Sequence, residues 1–146
     1  MYARIKTWMC VALVTSFLSV GTAFAQTETQ VESIRRFFSG QRILVTFRSG
    51  AAIYGTYVFL DVHFCPSGKY MSFGQSRKQT VLNNEQVNNW RDSGVWNVDS
   101  FHGEVLLRYV SVSGERNALP VRRLPDGGVW LGEGISIQPR GYALCK

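Results

Sequence analysis

The sequence predicts an all-β domain: a small antiparallel up-and-down β-barrel of about eight strands with a short N-terminal helix. Three observations carry this expectation. Apolar residues recur at every second position from Arg42 onward, the period of a strand with one covered face. Turn signals such as Ser49-Gly50, Pro66-Ser67-Gly68 and Pro125-Asp126-Gly127-Gly128 punctuate the chain at short, regular spacing. Closure into a barrel is the arrangement that removes the exposed edges such strands would otherwise present.

The length of 146 residues suits one domain. A hydrophobic content of 45% with 18% charged residues excludes a disordered chain or a coiled coil. With 14 Gly but only 4 Pro and no low-complexity tract, collagen-like and proline-rich linker readings fail as well.

Residues 1–25 read as an address. Arg4 and Lys6 precede an uncharged run from Trp8 to Val20, and Ala23-Phe24-Ala25 supplies a small-residue cleavage pattern. These are the three parts of a Sec-type signal peptide. The run is shorter than the about 20 apolar residues needed to span a bilayer, so stable membrane insertion is not expected. Cys10 lies at the start of the run, where it is not placed for lipid attachment. The expected location is the periplasm or the extracellular space. In an oxidising compartment, Cys65 and Cys145 are left with one intramolecular pairing, the alternative being two buried thiols. Such a bridge would stabilise by roughly 4 kcal/mol in the chain-entropy model. No C-x-x-C or H-x-x-x-H pair exists to hold a metal, and no cofactor is expected.

In chain order, residues 26–40 hold the helix. Val31, Ile34 and Phe38 fall at helical spacing, and Gly40 stops it. Such a helix either covers one end of a barrel or packs on the sheet surface. The barrel domain follows at 41–146. Ile43, Val45 and Phe47 alternate with Arg42, Thr46 and Arg48. A second strand spans about Ala52 to Cys65, with Val58, Leu60, Val62 and Phe64 on one face and a bend at Gly55. A third covers Lys69–Gly74. The polar, Asn-rich stretch Ser76–Asp92 reads as a long loop. Strand patterns resume at Gly94–Val98, Glu104–Ser113, Ala118–Leu124, Val129–Gly132, Ile135–Gln138 and Tyr142–Cys145.

The runs Phe64-Cys65-Pro66-Ser67-Gly68-Lys69-Tyr70 and Gly94-Val95-Trp96-Asn97-Val98, with a final strand carrying Cys145, resemble the small exported barrels grouped with lipocalins, the calycin type. The resemblance spans roughly residues 41–145 as a pattern and implies a barrel. In lipocalins the Gly-x-Trp lies on the first strand, whereas here it is mid-chain, so no binding residue is carried over.

Catalytic chemistry finds little footing. Asp61-x-His63 puts a carboxylate and an imidazole on one strand face, the only hint of a hydrolase. A Gly-x-Ser-x-Gly elbow, a phosphate-binding loop and a dinucleotide fingerprint are all missing. His102 sits in a turn signal. The expectation is a non-enzymatic module. From Gln26 onward 14 Lys and Arg face 10 Asp and Glu, with 11 of the 14 being Arg. No basic run or stripe is present, so nucleic acid is not an expected partner. Two roles remain. A monomeric barrel could hold an apolar small molecule in its mouth, with Trp90, Trp96, Trp130, Tyr57, Phe59 and Tyr70 lining or closing it. Alternatively, the loop 76–92, with Trp90 and Arg91 as contact residues, could engage an envelope protein or inhibit a secreted hydrolase or toxin. Small barrels usually fill their interiors with side chains, which favours these aromatics as core.

Overall fold

The computed structural model describes residues 15–50, 55–79 and 85–145, with side chains from Thr27 onward. The predicted leader, Cys10 included, lies outside the described residues except for the helical backbone from Thr15. No described helix is long and apolar enough to cross a membrane.

Helix α1 runs Thr15–Phe38, longer at its start than the sequence suggests. Arg35 and Arg36 occupy its last turn, where cations complement the negative end of the helix dipole. Gly40, at φ 76°, turns the chain out of the helix in a conformation few other residues tolerate. Nine strands follow among the described residues: β1 Gln41–Ser49, β2 Thr56–Phe64, β3 Lys69–Gln79, β4 Glu85–Phe101, β5 Glu104–Ser111, β6 Arg116–Pro120, β7 Arg122–Arg123, β8 Val129–Trp130 and β9 Ile135–Tyr142. Seven form one antiparallel sheet in the order β6-β5-β4-β3-β2-β1-β9, while β7 and β8 make a small separate ladder. The protein is therefore mostly β, with one helix and a sheet that meanders in sequence order until β9 returns beside β1.

Two sequence expectations are corrected. The segment 76–92 is not a long loop. Most of it extends β3 and β4 into a hairpin arm, paired in continuous register from Lys69↔Val95 to Gln79↔Glu85. The end of this arm is exposed from Glu85 to Arg91, so it carries no alternation of apolar and polar residues. Cross-strand bonds such as Gln75 Nε2 to Asn89 Oδ1 at 3.0 Å tie it together instead. Of the two short C-terminal strands expected at 135–138 and 142–145, the first is longer, β9 reaching Tyr142, and the second is not formed, residues 143–145 lying outside any strand. The register of β9 against β1 shifts between Ile43↔Pro139 and Gln41↔Tyr142, a bulge that gathers Pro139 and Gly141.

Register sorts the side chains into two faces. On the inner face, Ile43, Val62, Ser72 and Asp92 form one cross-strand row, and Phe64, Tyr70, Gly94 and Ser111 the next. Helix α1 packs against this face. Phe38 stacks on Phe64 at 4.9 Å and approaches Trp96 at 6.4 Å, and Arg35 Nη2 donates to the Val98 carbonyl at 2.8 Å. Ile34, Phe38, Ile43 and Val98 are fully buried, each such side chain contributing about 1.5–3 kcal/mol. The helix thus covers one end of the inner face.

Beyond the sheet's ends, Val121, Val129 and Leu131 are buried. Val121 N donates to the Val105 carbonyl, and β8 touches β9, so this segment contacts both flanks of the sheet. A disulfide joins Cys65 to Cys145 with a Cα–Cα distance of 5.7 Å, the pairing the sequence predicts. It straps the C-terminal residues over the outside of β2. Leu144 N donates to His63 Nδ1 at 2.9 Å, and Ala143 N to the Gly40 carbonyl at 2.8 Å.

Candidate functional site

Trp96 and Tyr70 are buried in the core, as expected of a filled interior. Past the helix-covered end, the inner face also lines a half-open cavity of about 250 Å³. Val45, Phe47, Val58, Leu60, Leu107 and Leu131 are among its lining residues. Ser72 presents a small side chain to this space from β3, opposite the large aliphatics of β1 and β2, while the room left by Gly74 is taken by the Trp90 indole. Gly74 is required where it stands. A Cβ there would lie 2.0 Å from Trp90 Cε2, so the indole rests directly over the Gly74 backbone.

Ser72, Trp90, Asp92 and Glu115 line this cavity and also a larger, open groove outside it. These four residues define the mouth. It forms where β4 parts from its neighbour: the β4–β5 ladder begins only at Gly94↔Ser111, leaving residues 85–92 of β4 paired to β3 alone. The β5–β6 turn, residues 111–116, faces that gap.

Asp92 is the centre of the mouth. Tyr70 Oη donates to Asp92 Oδ2 at 2.6 Å, and Ser111 Oγ donates to Asp92 Oδ1 at 2.5 Å. Ser113 Oγ lies 2.9 Å from Ser111 Oγ and extends the chain of hydroxyls. Burial pushes the Asp92 carboxyl up, but the hydrogen bonds from Ser111, Tyr70 and the Ser93 backbone outweigh it, and the group sits below the usual aspartate value. Tyr70 moves well above the usual phenol value, through burial first and then through the bond to Asp92 and its charge. Tyr109, edge-on to Tyr70 at 5.8 Å, is also raised, by burial and then by the charges of Glu115 and Asp92.

The sequence-predicted site residues are divided. Tyr70 and Trp90 reach the cavity and its mouth. Trp96 lies under the helix instead, its Nε1 donating to the Cys65 carbonyl at 3.0 Å. Arg91 lines the outer groove, its guanidinium 5.3 Å over the Phe73 ring, and does not reach the cavity. Tyr57 is also outside, under Arg48 at 5.1 Å, and Phe59 is under Arg77 at 5.7 Å. Trp130 stacks with Arg122 at 4.1 Å. Asp92, Ser111 and Glu115 carried no sequence signal. Asp92 comes from β4 and the other two from the β5–β6 turn, and only the strand register shows their proximity.

Asp61 and His63 do not form a working dyad. His63 Nε2 is 3.9 Å from Asp61 Oδ1, and Arg42 takes the carboxylate in a two-pronged pair as short as 2.6 Å. That pair holds the Asp61 carboxyl below its usual value, the Arg42 hydrogen bond being the largest cause. His63 is 3% exposed beneath the C-terminal strap, and its one hydrogen bond among the described residues comes from the Leu144 backbone. No three His, Cys, Asp or Glu side chains converge to hold a metal among the described residues.

Compared with known proteins, the chain matches no protein family, no curated protein and no solved structure. The lipocalin resemblance gains no support from these comparisons.

Proposed function

We propose that the protein is an exported, non-enzymatic binding module that holds a small apolar molecule inside a β-walled interior. The single observation that carries this is the cavity, whose walls are mainly aliphatic and aromatic and which opens to the surface beside Asp92 and Glu115. Ligand sites are typically concave, largely apolar and furnished with a few placed polar groups. At about 250 Å³ it lies just below the common range for drug-sized ligands, so the occupant is small. The sheet, with the β7–β8 segment against both flanks, wraps this space as a barrel closed by packing. Export rests on the leader pattern at 1–25 and is supported by the disulfide, a bond of oxidising compartments.

Titration with the apolar fluorophore aminoanthracene tests the reading. Saturable binding with enhanced emission is expected. The variant Val58→Phe, which projects a ring into the cavity, should weaken it at least tenfold, about 1.4 kcal/mol. Absence of binding by the folded wild type, or undiminished binding by the folded variant, overturns it.

A second reading is favoured by the β3–β4 arm. Residues 85–92 of β4 offer an unpaired backbone edge beside Trp90 and Arg91, a template to which a partner strand can add. An envelope-protein contact, or inhibition of a secreted hydrolase or toxin, would use this edge. Failure of the fluorophore to bind leaves this reading standing in place of the first.

A further inference from the structure

We propose that the cavity selects an apolar ligand bearing a cationic head, an alkyl- or arylammonium, whose charge is received at the mouth by Asp92 and Glu115. This rests on the cavity reading above and specifies its ligand. The interior is lined by aliphatic and aromatic residues, with no Lys or Arg among its walls. Both of its carboxylates, Asp92 and Glu115, stand at the mouth. Neither forms an ion pair among the described residues. Asp92 is bonded by the neutral hydroxyls of Tyr70 and Ser111, and Glu115 Oε1 accepts from Asn117 Nδ2 at 2.8 Å. A carboxylate offers about four acceptor positions, and with the Tyr70 and Ser111 hydroxyls and the Ser93 backbone N–H as donors Asp92 retains room for one more. Arg91 lines the outer groove but not the cavity, with its guanidinium held over the Phe73 ring.

The hydroxyl donors keep Asp92 ionised where burial alone would favour protonation. The mouth is therefore a fixed negative charge above an apolar chamber. An anion entering would meet repulsion, and a neutral molecule would gain only burial. An ammonium would gain burial of its apolar tail and a charge-assisted hydrogen bond at its head. The Trp90 indole, lying over Gly74 at the same mouth, adds an aromatic face of the kind that attracts cations.

Displacement of bound aminoanthracene by hexylammonium, hexanol and hexanoate at neutral pH tests this. Hexylammonium should displace it at least tenfold more tightly than hexanol, with hexanoate weakest, and added salt should weaken hexylammonium alone. Asp92→Asn should abolish the preference for hexylammonium over hexanol. If that variant does not fold, Glu115→Gln, at an exposed position, should reduce the preference instead. Equal or tighter binding of hexanol or hexanoate overturns the selectivity while leaving the cavity reading intact. If neither aminoanthracene nor any of the three binds, the cavity reading itself fails.

Discussion

Asp92 joins two strands that the sequence separates. Its ligands Tyr70 and Ser111 lie on β3 and β5, and its own strand, β4, runs between them. Its folded-state proton affinity lies below that of the unfolded chain, so the unfolded chain takes up a proton first as pH falls. The stabilisation is thus complete above the ordinary carboxylate value and is lost as pH drops through the lower folded value. Asp61, held down by Arg42, acts in the same direction. Asp92→Asn should lower stability by about 1–2 kcal/mol at neutral pH and flatten the acid limb. Urea midpoints measured across the acid range check this, and an unchanged acid slope would refute it. The aromatic partners of this site were legible: Tyr70 and Trp90 stand out as residue types. Asp92 was not, because an isolated Asp in a polar stretch gives no sign that two hydroxyls from distant strands will surround it.

Among the elements, β4 shows most clearly what periodicity conveys and where it stops. Its second half alternates buried Trp96 and Val98 with exposed Val95 and Asn97, and it was readable as a strand. Its first half projects beyond β5 with no covered face, so its sequence follows solvent demands and reads as loop. The strands β1, β2 and β5 were legible because one face of each meets the core. Helix α1 was legible from Val31, Ile34 and Phe38 for the same reason. Gly94 sits where the two halves of β4 meet and where β5 joins. A Cβ there would fall 1.9 Å from the Val110 carbonyl oxygen and 2.9 Å from Tyr70 Cε1. Gly94→Ala must therefore push β5 away or displace Tyr70. It should cost about 2–3 kcal/mol, the upper part of the range for overpacking, and should disturb the Asp92 bond as well. A urea midpoint equal to that of the wild type would show that the ladder yields at no cost.

For the whole molecule, the cysteine count and the compartment implied by the leader pattern were enough to foresee the Cys65–Cys145 bond. What the bond secures could not be foreseen: a strap that buries His63 on the outer side of β2. The bond closes a chain separation of 80 residues, and its loss through Cys145→Ser should cost up to about 4 kcal/mol. In the variant, His63 should become reactive to diethylpyrocarbonate while remaining protected in the wild type. Retained protection would mean that the Leu144 and Ala143 backbone bonds hold the strap unaided. The pairing of β9 with β1 carries a temporal consequence. The strand that follows the helix receives its second neighbour only when β9 has been made, after all the other strands of the sheet. Until that strand arrives, one backbone edge of β1 is left without its ladder.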